Sequence, residues 1–139
     1  KDTEHRLRSI ISRHPDRAAM TTDFDNDLSH LIEAGADIFL MPSKYEPCGL
    51  NQMYSMRYGT VPVVRATGGL ADTVQEFDAS TGAGTGFRFD AYAPEAFKDA
   101  VMRALRCFDD KQSWGRLVAN GMMSDLSWSR SAKRYARCR

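Results

Sequence analysis

The spacing of apolar positions changes repeatedly along the chain, and each change predicts an element. Residues 1–14 carry Leu7, Ile10 and Ile11 on one side of a charged stretch, which predicts a short amphipathic helix ended by Pro15. Ala18-Ala19-Met20 reads as a modest strand. Asp25 or Asn26 supplies a cap for a helix running to about Ala34, with Leu28, Leu31 and Ile32 inward and Gly35 as its stop. Ile38-Phe39-Leu40-Met41 is an apolar run short enough for a buried strand, closed by Pro42 and Ser43. A compact turn, Tyr45 to Gly49, follows. Helical spacing then returns at Leu50, Met53, Tyr54 and Tyr58 until Gly59.

Val61-Pro62-Val63-Val64 predicts another short strand, in which Pro62 is tolerable only near the start. Thr67-Gly68-Gly69 makes a second tight turn into Leu70–Val74. Small, turn-forming residues from Asp78 to Gly86 predict an exposed, flexible loop. Gly86-Phe87-Arg88-Phe89 alternates as a short edge strand does. Pro94 opens a helix carrying Phe97, Val101, Ala104, Leu105 and Phe108, and another spans roughly Lys111 to Met122. A final helix begins at Trp128, with Ala132, Tyr135 and Ala136 on one side and Arg130, Lys133, Arg134 and Arg137 on the other.

Strands alternating with helices give an α/β fold, a parallel sheet with helices on both faces. Three or four strands are fewer than a doubly wound sheet usually has. The expectation is an incomplete Rossmann-like domain whose first strands lie upstream of Lys1.

Bulk properties narrow the class. The 139 residues suit one domain, and the net charge of +1 gives no reason to expect nucleic acid or an anionic membrane as partner. No apolar run approaches the roughly 20 residues of a membrane span. Cys48, Cys107 and Cys138 are scattered, odd in number and without zinc spacing. That usage fits a reducing compartment, and the expected location is cytoplasmic, or plastid in a plant.

Chemistry concentrates between Ala36 and Gly59. A strand, a tight turn and a helix leave free amides at a helix start, on the sheet edge where open α/β folds bind ligands. Glu46 projects from that turn, either as a carboxylate for substrate hydroxyls and developing positive charge or as a cap for the following helix. The N–H groups of Cys48, Gly49 and Leu50 can hold a phosphate, or the segment is a plain turn needing a small residue. A nucleophilic Cys48 lacks any histidine nearby in sequence. Thr67 and Gly68 open a second amide-rich turn, weak as a signal by itself. Phe24 can stack on a planar base or fill a core. His30 and Glu33, at helical i,i+3 spacing, do not make a metal site, and the basic face after Trp128 is most simply solvated.

The string PSKYEPCGLNQMYSMRYGTVPVVRATGGLADTV closely resembles the donor-site signature of bacterial glycogen synthases and plant starch synthases, retaining glucosyltransferases of two-Rossmann-domain (GT-B) architecture. LSHLIEAGADIFLMPS upstream, and TGFRF and DLSWSRSAKRYA downstream, extend the resemblance over nearly the whole chain. It implies glucose transfer from ADP-glucose to the non-reducing 4-hydroxyl of an α-1,4-glucan, without a resident metal or cofactor. It also implies Glu46 on the glucosyl hydroxyls, Cys48, Gly49 and Leu50 amides on the distal phosphate, Thr67 and Gly68 against the same pocket, and Phe24 packed on adenine where the family often has tyrosine.

Two parts of the family pattern do not occur here: the glycine-containing Arg/Lys clamp on the diphosphate and the N-terminal acceptor domain. The chain therefore resembles the C-terminal part of the donor domain. Its rivals are a nucleotide- or glucan-binding module without turnover, and the same chemistry with UDP-glucose. The 139-residue chain alone is expected not to turn over ADP-glucose; measurable glucan elongation by it would contradict this.

Overall fold

The computed structural model describes residues 2–137. Its elements follow in the order α1 (Asp2–Ile11), α2 (Asn26–Gly35), β1 (Ile38–Met41), α3 (Asn51–Tyr58), β2 (Val61–Arg65), α4 (Gly68–Thr73), β3 (Phe87–Phe89), α5 (Pro94–Asp109), α6 (Lys111–Met123) and α7 (Trp128–Arg137). The strands form a parallel sheet in the order β1-β2-β3, with Ile38 opposite Val61 and Val63 opposite Phe87.

Alternation along β2 sends its side chains to two cores. Val61 and Val63 join Phe77, Phe87, Phe89, Ala100, Ala104, Trp114 and Leu117 beneath α5 and α6. Val64 joins Met56, Leu70 and Val74 beneath α3 and α4. Helices on both faces of a parallel sheet are what the hydrophobic pattern predicts. Pro62 sits in the central strand, near its start. Val61 N–H donates to Asp37 C=O on the β1 side, so the position-62 nitrogen faces the other side, where pairing with β3 begins only at Val63.

The local stops are also as read. Asp25 caps α2 by accepting from Leu28 N–H, and Gly59 closes α3 in a left-handed conformation with its N–H directed to Ser55 and Met56 carbonyls. Thr60 ties α2 to β2 by donating to the carbonyls of Glu33 and Ala36.

Several expectations fail. Ala18–Met20 is not a strand; the N–H groups of Arg17 and Ala18 turn back to His14 C=O, and no neighbouring strand is present among the described residues. No residue of α1 is buried. In α2 the predicted inward residues Leu28, Leu31 and Ile32 are exposed, Leu31 to 70%, while Glu33 is buried. On β1, Leu40 is 47% exposed. The Asp78–Gly86 loop is pinned rather than free. Glu76 and Asp78 bridge Gly86 and Ala83, Asn120 Nδ2 donates to Gly82 and Gly84 carbonyls, and both of those glycines are buried. Spacing in the sequence could not show the partner, Asn120, which comes from α6.

Ala132, Tyr135 and Ala136 of α7 are exposed, as are Arg130 and Lys133. No described helix is long and apolar enough to cross a membrane. Because Leu117 is fully enclosed where α6 meets the sheet, Leu117→Ala is expected to cost about 2–5 kcal/mol, read as a lowered denaturant midpoint.

Candidate functional site

The parallel register brings the C-terminal ends of β1 and β2 side by side, so the turns that leave them meet. Gly69 N–H donates to both Glu46 C=O (3.1 Å) and Pro47 C=O (3.2 Å). The approach is close enough to exclude side chains. A Cβ on Gly68 would overlap Glu46 C=O, and one on Gly69 would overlap the Cys48 carbonyl. The two turns therefore form one surface, and Glu46, Cys48, Gly49, Leu50, Thr67 and Gly68 converge on it.

Within that surface Glu46 does not cap α3 but binds its own turn: its Oε1 accepts from Gly49 N–H, one residue before the N-cap Leu50, at 3.1 Å. Of the amides expected to hold a phosphate, Gly49 is thus already bonded. Those of Cys48 and Leu50 find no acceptor among the described residues, and neither do Asn51 and Gln52 at the start of α3. Leu50, the N-cap residue, brings no side-chain hydrogen bond, so the positive end of α3 stays open. Glu46 Oε2 likewise accepts no bond from the described residues.

Gln52 organises this turn and was missed in the sequence, where it sits among the apolar positions of α3. It is fully buried. Its Nε2 donates to Gly49 C=O (3.0 Å), Cys48 C=O (3.5 Å) and Thr73 Oγ1 (3.0 Å), and Thr73 passes the chain on to Gly69 C=O (2.6 Å). Gly49, at φ 68°, is left-handed, and a Cβ there would lie 2.6 Å from Gln52 Oε1. Arg65, also missed, closes the other side. From the end of the central strand it donates to Lys44 C=O and to Asp90 C=O (3.0 Å), under the Tyr92 ring. A polar residue at a buried helix position, and an arginine ending a strand, were the available signals.

Phe24 stands apart from the two turns. It is 96% exposed, not core, and lines a cavity with Leu28, Ile32, Phe39 and Asn51, the last being the first residue of α3. The cavity thus extends from Phe24 to the first residue of α3. Cys48 is exposed. His30 packs against Tyr54 and Tyr58, with Nδ1 3.2 Å from Tyr58 Oη. Among the described residues no group of His, Cys, Asp and Glu side chains converges as a metal site would.

Residues 9–118 match the family model described as glycosyl transferases group 1. The chain belongs to that family. It is 53% identical to the glycogen synthase of Koribacter versatilis over 99% of its own length, and 63% identical to that of Anaeromyxobacter dehalogenans over 95%. In each case it spans 28% of the relative. The solved catalytic domain of starch synthase IV from Arabidopsis thaliana, bound to ADP and acarbose, superimposes with a TM-score of 0.85 at 37% identity, covering 96% of this chain and 28% of that one. Sucrose-phosphate synthase from Thermosynechococcus elongatus shares the fold, with a TM-score of 0.68 at 24% identity over 99% of this chain and 33% of that one. In this member of the group 1 family, Gly69→Ala is expected to force the two turns apart at a cost of about 1–3 kcal/mol. Thermal denaturation would register it.

Proposed function

We propose that this chain carries the donor side of a retaining glucosyltransferase that moves glucose from ADP-glucose to the non-reducing end of an α-1,4-glucan, in glycogen or starch synthesis. The observation that carries the reading is the stitched pair of turns, which sets a carboxylate beside the open amino end of α3 on the C-terminal rim of a parallel sheet. Kinship with glycogen synthases, and a superimposable starch synthase domain bound to ADP and acarbose, point to the same chemistry.

Breaking the glucosyl–phosphate bond builds negative charge on the leaving ADP and oxocarbenium character on the sugar. The amides of Cys48 and Leu50, with the positive end of α3 behind them, meet the first. Glu46 meets the second: Gly49 N–H fixes Oε1, and Oε2 remains for the glucosyl hydroxyls. Thr67 and Gly68 wall the pocket through the Gly69 bridge. Phe24 supplies a flat face for adenine in the cavity that reaches Asn51. No step here requires a metal or cofactor. The remaining catalytic parts, a cationic clamp on the diphosphate and the acceptor domain, belong to the rest of the full-length protein.

Titrating the full-length protein with ADP-glucose against UDP-glucose, with glucan elongation as readout, tests the reading. A preference for ADP-glucose supports it; nucleotide binding without elongation would favour a binding module. In the same protein Glu46→Ala is expected to lower kcat by at least about a hundredfold while ADP affinity changes only a few-fold. An unchanged kcat would remove Glu46 from the mechanism.

A further inference from the structure

The cavity that Phe24 borders has an unmet requirement at its floor. It measures about 320 Å³, lies between segment 21–25, α2 and the start of α3, and is also lined by Glu33. Glu33 is 2% exposed, and its Oε2 has no hydrogen-bond partner. Burial pushes its carboxyl above the ordinary carboxylate range, and His30, one turn earlier, offsets only part of this. The other charged residues lining the cavity are Asp23 and Asp25, so no cation there neutralises Glu33. A buried carboxylate without a partner is costly, and a hydrogen-bond donor relieves it while leaving it ionised.

The walls say what kind of donor. Leu28, Ile32 and Phe39 are apolar, and the exposed Phe24 ring offers a flat stacking face. A hydrated cation would gain nothing from such walls. A planar heterocycle bearing an amino group would use all of them. We propose that Glu33 is a specificity-determining residue for the nucleotide base, taking the N–H of an exocyclic amine at the cavity floor and so selecting an amino-bearing purine over an oxo-base. This rests on the donor-site reading given above. A carbonyl in place of the amine would set two acceptors against each other away from water, a mismatch that sites built for a donor reject strongly.

The test compares ADP with purine riboside 5′-diphosphate, which keeps the ring and the phosphates and replaces the amino group by hydrogen. Calorimetric titration of the full-length protein is expected to show ADP binding tighter by on the order of ten- to a hundredfold, the span of a hydrogen bond to a charged group. Glu33→Leu is expected to bring the two nucleotides within about twofold of each other by weakening ADP alone. Glu33→Gln, which keeps an acceptor but not the charge, is expected to retain an intermediate preference. If Glu33→Leu does not fold, the glutamine variant decides, and a wild-type ratio in it overturns the assignment. An unchanged ratio in the leucine variant, or a wild type that does not discriminate, overturns it as well. If the wild type binds neither nucleotide, the donor-site reading falls and this assignment with it. Binding of both with an unaltered ratio removes Glu33 alone.

Discussion

One backbone contact sets the geometry of the site: Gly69 N–H reaching two carbonyls of the neighbouring turn, at Glu46 and Pro47. It exists because β1 and β2 are parallel and adjacent, so the segments leaving them emerge at the same edge. It is sterically possible because positions 68 and 69 lack a Cβ. Everything read as functional on the rim inherits its position from this contact, including Glu46 and the open amides behind it.

A second layer of polar groups holds the contact in place. Gln52, buried in α3, grips the carbonyls on one side and Thr73 on the other. Arg65, at the end of the central strand, binds the segments that follow β1 and β3. Gln52 holds its carbonyls and Thr73 through Nε2 alone; its buried Oε1 has no partner among the described residues. The open amides of α3 are the complement. A capping side chain would take up some of the free N–H groups at a helix start, whereas the N-cap of α3 is Leu50, which offers none.

The two ends of the chain differ in completeness. From α3 to α6 the sheet and helices enclose two cores. On the β1 side, α1 buries nothing, α2 shows its leucines, and the backbone groups of Ile38 and Leu40 face an unpaired edge among the described residues. The chain spans 28% of the glycogen synthases it matches. An apolar helix face and a strand edge are thus left uncovered among the described residues.

The alternation of strands and helices, the caps at Asp25 and Gly59, and the two glycine turns were legible in the sequence because each is written in local periodicity or local backbone chemistry. So was the tight turn from Glu46 to Gly49 between β1 and α3. Tertiary structure alone decided that the two turns touch, that Glu46 spends one oxygen on Gly49 N–H, that Gln52 and Arg65 act as latches, and that Asn120 pins the loop after Phe77. It also reversed the reading of α2, burying Glu33 and exposing Leu31. Apart from the local Glu46–Gly49 bond, each of these depends on a contact between residues far apart in sequence, or on a surface that other parts of the chain must cover, and neither leaves a mark in the spacing of apolar positions.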